Sequence, residues 1–263
     1  MMKEMLIKEI ESRVGLAYDE TVVTKNGIEK KALTVGYKGA NVMANIYYED
    51  IEGNAKDIID SALKNMPKIN IDTLMSKENM LDNVFIAIQK VSEENLVRKP
   101  SIFAGLELYL VMKVNENATV KIQPQVLDRI GVTEMELFAK AEENTYNNAI
   151  VMSLDDMIMS MITESTPKES RLNELDYTQD DIICVTNKDR VKGAGIIGVP
   201  KALEKIKEIL KADKLIIIPS SIHEVLITPY TEGFMELSKS MIPEINEKEV
   251  RAEDKLSDTP YIF

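Results

Sequence analysis

With one histidine, one cysteine and no tryptophan in 263 residues, the chain is short of the side chains that mark most recognisable active sites. A lone Cys184 cannot form an intramolecular disulfide, which fits a reducing compartment. One Cys and one His are too few for a zinc site built from those ligands. His223-Glu224 lacks the second histidine of a zinc-protease helix. The sequence also has no apolar run approaching the ~18–20 residues that span a bilayer. Lys and Glu interrupt Met1 to Val14, so no signal peptide is expected and the expected location is cytoplasmic.

Basic residues are in deficit, 32 against 44 acids, for a net charge of −12. That balance opposes phosphate backbones and anionic lipid unless cations are segregated on one face. They are not: Lys201, Lys205, Lys207, Lys211 and Lys214 alternate with Glu204, Glu208 and Asp213, as on a solvated helix. Direct nucleic-acid binding and membrane association are therefore not expected. Glycine-rich phosphate loops are missing too. Gly193-Ala194-Gly195 lacks the Gly-Lys-Ser/Thr ending of a phosphate loop and the third glycine of a dinucleotide fingerprint, and suits a tight turn. No cofactor and no metal site are expected.

Several local signals are present. Residues 2–13 read as an amphipathic helix with Met5, Leu6 and Ile10 on one side. Tyr18 to Lys25 and Ile28 to Tyr37 flank Asn26-Gly27, the pair that supplies both positive φ angles of a type I′ hairpin turn. Asn54 can cap a helix over 55–66, with Pro67 just beyond. Asp82 to Val91 reads as a strand, and 106–114 with 118–122 as a hairpin around Asn115-Glu116-Asn117. Thr133 and Glu136 have the spacing of a capping box. Residues 152–161 suggest a core helix with Leu154, Met157, Ile158 and Met161 in one stripe; its methionines would also suit a partner groove. After polar 163–180 come strands at 182–185, 215–218 and 225–227. Helices are expected at 200–211, with Pro200 at its first position, and at 231–242, ended by Pro243.

Pro219-Ser220-Ser221-Ile222-His223-Glu224 follows an apolar strand and holds the only histidine. Histidine shuttles protons near neutral pH, so the candidate catalytic residues are His223, Ser220, Ser221 and Glu224. Serines this close along the backbone rarely face their own base, and nothing selects a third group, whether Asp258 or Asp181. The structural alternative is a turn whose polar side chains satisfy backbone groups. Cys184, between Ile183 and Val185, reads as a buried thiol; a Cys184–His223 dyad would require the two to meet on adjacent strands.

Val185-Thr186-Asn187, Gly193-Ala194, Ile218 to Val225, and Leu256-Ser257-Asp258 before Tyr261 together resemble a bacterial domain-of-unknown-function family. That family is met mostly in gut Clostridia and other Firmicutes and in their mobile elements. The Pro-Ser-Ser-Ile-His-Glu string is the specific part. A hairpin near 18–37, a Tyr47-Tyr48 helix and a 133–147 helix are similar in layout. The resemblance implies cytoplasmic location and accessory-gene status, and carries no activity, cofactor or catalytic residue.

The expected fold class is α+β, with mixed or antiparallel sheets, flanking helices and a smaller α/β C-terminal lobe. The lobes are expected at 1–163 and 178–263. The leading functional expectation is a non-enzymatic accessory protein that binds a protein partner. One alternative is a hydrolase-like enzyme using His223 with Ser220 or Ser221. Another is an acidic decoy of a nucleic-acid-binding protein. Oligomeric state is left open.

Overall fold

The computed structural model describes residues 2–40, 43–64, 66, 74–115, 118–174 and 182–263. Pro67, Glu116, Asn117 and Asp181 lie outside the described residues, as does the side chain of Met161. The protein is α+β, with three antiparallel sheets among the described residues.

The first sheet belongs to the N-terminus. Helix α1 (Met2–Glu11) precedes strands β1 (Leu16–Lys25), β2 (Ile28–Tyr37) and β3 (Ala44–Tyr47), ordered β1-β2-β3. The Asn-Gly hairpin forms as its sequence dictates: Lys25 pairs with Ile28, and Asn26 and Gly27 take φ of 49° and 80°. Helix α2 (Ala55–Lys64) is capped by Asn54, whose Oδ1 accepts from the Asp57 N–H at 3.0 Å. Leu6 and Ile10 of α1, Ile59 of α2, and Leu33 and Val35 of β2 close a core of their own; Met5 faces solvent instead. Tyr47 ends β3 and Tyr48–Asp50 form only a 3₁₀ turn, so the Tyr47-Tyr48 helix expected from the resemblance is corrected. Tyr47 is paired with Ala32 across the sheet, and that pairing takes it out of any helix.

The second sheet follows α3 (Lys77–Asn83). It has the order β4 (Val84–Lys90), β6 (Leu106–Asn115), β5 (Arg98–Pro100), and β7 (Ala118–Lys121) joins β6 beyond β5. Helices α4 (Pro124–Ile130) and α5 (Glu134–Asn148) come next. Half of the capping box at α5 is made: Thr133 Oγ1 accepts from Glu136 N–H at 3.1 Å, while the Glu136 carboxylate pairs with Lys77.

The third sheet runs β13 (Tyr261–Ile262), β11 (Leu215–Ile218), β12 (Val225–Pro229), β10 (Ile183–Asn187), β8 (Ala149–Ser153), β9 (Ser170–Arg171). β8 pairs with β10 over Ala149–Asn187 and Ser153–Ile183, across the 163–178 boundary expected from the sequence. One continuous core joins the second and third sheets. It contains Ile86 and Leu110 from one, Val151, Ile183 and Ile217 from the other, and Leu137 of α5 between. Leu203, Ile206 and Leu210 of α7 (Pro200–Leu210) complete it.

On the outer face of the third sheet lie α6 (Leu154–Thr163) and α8 (Glu232–Glu249). Two expectations are corrected here. Met152 sits in β8 and not in the helix, and Ile158 of α6 is exposed, so the stripe of Leu154, Met157, Ile158 and Met161 is only partly core. Pro243 does not stop its helix: α8 continues six residues, to Glu249. Proline removes one donor, and the burial of Ile242 and Asn246 on the sheet side outweighs that loss.

The hairpin tip couples the first sheet to the rest. Asn26 is 5% exposed; its Nδ2 donates to the Lys255 carbonyl at 2.7 Å and its Oδ1 accepts from Lys90 N–H at 2.8 Å. Lys30 is buried against Glu253 at 2.6 Å. Asn26→Gly keeps the left-handed turn and removes only the side chain. It should cost about 1–3 kcal/mol of stability in urea denaturation, from the buried donor and acceptor left behind.

Candidate functional site

The turn after β10 and the turn after β11 are laced together. Asn187 closes the first, its Nδ2 donating to the Val191 carbonyl at 2.8 Å and its Oδ1 accepting from Val191 N–H at 3.2 Å. Arg190 and Lys192 both take positive φ, 54° and 58°. Gly193 then begins a 3₁₀ turn, Gly193–Gly198, which is buried throughout. Thr186 Oγ1 donates to the His223 carbonyl at 2.8 Å, and Ala194 N–H to the Ile222 carbonyl at 3.2 Å. A Cβ on Gly193 would fall 2.4 Å from Thr186 Oγ1, so only glycine lets the two turns approach.

The second turn is tied to the C-terminal segment. Ile222 N–H donates to the Asp254 carbonyl at 2.8 Å, and Leu256 N–H to the Ser220 carbonyl at 3.1 Å. This pairing sets Asp254 Oδ1 3.3 Å from His223 Nε2. His223 Nδ1 accepts from Lys192 N–H at 3.4 Å, which leaves the proton of the neutral imidazole on Nε2, facing the carboxylate. Both ring nitrogens are engaged.

The candidate residues separate. Ser221 is buried, and its Oγ accepts the backbone N–H of His223 at 3.0 Å. Ser220 lines a cavity on the outer face of the third sheet. Glu224 is half-buried. Cys184 packs with Ile150 and Met152, and burial pushes its thiol up to about 12. Asp258 binds Lys255 and Asn246 and not the imidazole. No group of three His, Cys, Asp or Glu converges as metal ligands would among the described residues.

His223 and Asp254 face a cleft of about 1140 Å³ between the first sheet and the other two. Four cationic side chains line it, Lys25, Lys121, Arg129 and Lys192, against the three carboxylates of Glu94, Glu253 and Asp254. In a chain of charge −12 that is a local reversal. Lys121 is already committed to Glu94, at 2.6 and 2.8 Å, and Glu253 to Lys30. Lys192 has no ion pair among the described residues; its Nζ donates to Tyr109 Oη at 3.1 Å. Tyr109 stands on the face of β6 turned away from the main core, 2% exposed, and burial pushes its hydroxyl up to about 12. Burial also lowers Lys192 from its ordinary value, against the raising influence of Asp254 and Glu94. Lys192, Tyr109 and Asp254 did not stand out in the sequence. They sit in a turn, in an apolar strand and 31 positions after His223.

The family model of DUF5688, a family of unknown function, matches residues 1–263. The chain belongs to the DUF5688 family. No curated protein and no solved structure matches it. In this DUF5688 chain the Pro-Ser-Ser-Ile-His-Glu turn and the Leu256-Ser257-Asp258 string are bonded to each other, Ser257 N–H donating to the Pro219 carbonyl at 3.2 Å.

Asp254 gives the site an acid-side signature. The hydrogen bond from His223 holds its carboxyl below the usual aspartate range, against the opposing effect of burial. A folded-state pKa lower than the unfolded one adds stability above the unfolded value, and that stability is lost as pH falls through the folded value. Asp254→Asn should therefore flatten the loss of stability below about pH 4, read from urea midpoints across the acid range.

Proposed function

We propose that this protein is a non-enzymatic binder of a small organic anion, held in the cleft with its negative group at Lys192. One observation carries this: Lys192 is half-buried in the wall of the cleft, its ammonium bonded to Tyr109 and to no carboxylate among the described residues. An ammonium has three donors, and one partly withdrawn from water without a counter-ion is held at a cost that an anionic ligand would offset. The backbone supports the same view. Lys192 holds the left-handed conformation that favours glycine, and such strain gathers at functional sites. Apolar and aromatic walls, among them Tyr47, Val114, Val120 and Ile222, suit the body of an organic molecule behind the anionic head.

Binding is favoured over proton transfer because both nitrogens of His223 are spent and neither nearby serine bonds to the ring. The cytoplasmic accessory role implied by the family resemblance stays part of the proposal, with a small molecule in place of a protein partner. No helix among the described residues is long and apolar enough to cross a membrane.

Thermal shift provides the test, with inorganic phosphate, aliphatic di- and tricarboxylates, aromatic carboxylates and nucleoside monophosphates. At least one should raise the melting temperature of the wild type and raise that of Lys192→Met far less. A ligand at 100 times its Kd stabilises by about 2.7 kcal/mol, a shift of several degrees. If no anion shifts the wild type, or Lys192→Met responds equally, the proposal fails.

A further inference from the structure

Asn26-Gly27 is the only Asn-Gly pair in the chain, and that pair has a chemistry of its own. Glycine has no side chain to shield its backbone nitrogen, so that nitrogen can attack the carboxamide carbon of the asparagine before it. A bond forms between Gly27 N and Asn26 Cγ, the Cγ–Nδ2 bond breaks, and Nδ2 leaves as ammonia with the Gly27 proton. Water then opens either C–N bond of the imide ring. The products are aspartate at position 26 and its isoaspartyl isomer, in which the main chain runs through Cγ. Water is the one co-reactant, and nothing is oxidised or reduced.

The fold opposes this reaction. Nδ2, the leaving group, donates to the Lys255 carbonyl at 2.7 Å, and Oδ1 accepts from Lys90 N–H at 2.8 Å. Attack at Cγ makes that carbon tetrahedral and moves both atoms, and each is held by a separate segment of the chain. At 5% exposure Asn26 is also withdrawn from the water that the second step consumes.

The docking that protects Asn26 is local. The first sheet shares a core with α1 and α2, through Leu6, Ile10, Leu33 and Ile59, and none of these residues is part of the main core. Its hairpin is held by one short segment of the C-terminal region. Glu253 pairs with Lys30 at 2.6 Å, and the Lys255 carbonyl holds Asn26. Asp254, between them, carries the bond to His223 in the cleft. A unit with its own core can come away from its neighbour at less cost than global unfolding.

We propose that Asn26 is a deamidation site controlled by docking of the hairpin: its amide persists while the first sheet is seated, and a chain whose hairpin comes away is converted to a form that docks poorly. In the aspartyl product an oxygen replaces Nδ2 and meets the Lys255 carbonyl, acceptor against acceptor. In the isoaspartyl product an extra backbone carbon also enters the turn and breaks the pairing of Lys25 with Ile28. Because the first sheet forms one wall of the cleft, the modification makes an opening of the cleft permanent, whatever Lys192 binds.

Peptide mapping by mass spectrometry reads the conversion in the intact chain at mildly alkaline pH. Folded wild type should deamidate at Asn26 at least about tenfold more slowly than the chain unfolded in urea. Glu253→Gln loosens the tie to Lys30 and leaves Asn26-Gly27 untouched, and should raise the folded-state rate by about 3- to 10-fold. If that variant does not fold, wild type in urea below its unfolding midpoint replaces it, and the rate should climb ahead of global unfolding. Asn26→Asp should speed amide exchange at Lys90 while the amides that pair β1 with β2 stay protected. Equal rates in folded and unfolded wild type would overturn the proposal. So would a folded Glu253→Gln protein that deamidates like wild type, a rate that merely tracks global unfolding, or unchanged exchange at Lys90 in Asn26→Asp.

Discussion

Gly195→Ala is expected to destabilise the protein by about 3 kcal/mol or more, among the largest effects available to a single methyl group. The 3₁₀ turn Gly193–Gly198 is pressed between β4 and β10, and a Cβ on Gly195 would stand 2.0 Å from the Ile86 carbonyl oxygen and 2.7 Å from its carbon. Those atoms are backbone and cannot swing aside. Ile86 is further fixed by its own N–H, which donates to Thr145 Oγ1 of α5 at 2.9 Å. Gly198→Ala is the control. Its Cβ would meet the methyl ends of Leu108 at 2.6 and 2.8 Å, and a side chain can shift where a strand cannot. Urea denaturation should place the two variants clearly apart, Gly198→Ala closer to wild type. Equal midpoints would mean the turn is not held against β4 as described.

Lys192→Met should have two opposite consequences. Anion affinity should fall roughly 30- to 100-fold, the worth of a charge-assisted hydrogen bond in a desolvated site. Stability should rise, because methionine fills the same volume with no ammonium to desolvate. The pH dependence follows in sign. In the folded chain burial sets the Lys192 pKa below the 10.5 of the free side chain. Between that lowered value and 10.5 the unfolded chain holds more protons, so wild-type stability climbs with pH across this window. At neutral pH the charged ammonium opposes folding. Lys192→Met should remove that contribution to the alkaline slope and raise the neutral-pH midpoint. A variant that lost both stability and affinity would mark Lys192 as a packing residue.

How much of this could be read from the sequence depends on whether the signal is local. Asn26-Gly27 dictates its turn by its own dihedral preferences, and Asn54 and Thr133 cap their helices through atoms two or three residues away. These were legible. Pro243 was misleading, since what holds α8 beyond it is a sheet face contributed by distant strands. The methionines of 152–161 divide between β8 and α6 because β8 has β10 to pair with, a partner some 30 residues on. The cleft was the least visible part. The Pro-Ser-Ser-Ile-His-Glu turn could be singled out, but Asp254 reaches the imidazole through pairing of 219–222 with 254–257, and Lys192 and Tyr109 meet only once two sheets pack. Side chains from separate segments leave no spacing to recognise. Residue scarcity had drawn attention to histidine, whereas the structure draws it to a lysine, one of 32 basic residues.

Competitive acetylation of lysines, read by mass spectrometry with and without each anion of the thermal-shift set, addresses the cleft most directly. A counter-ion seated on the Lys192 ammonium, which has no carboxylate partner among the described residues, should slow its acetylation at least about tenfold. Exposed Lys31, on β2, should react at an unchanged rate. If Lys192 reacts at the same rate whatever anion is present, that side chain is not where charge is received, and the cleft has another purpose.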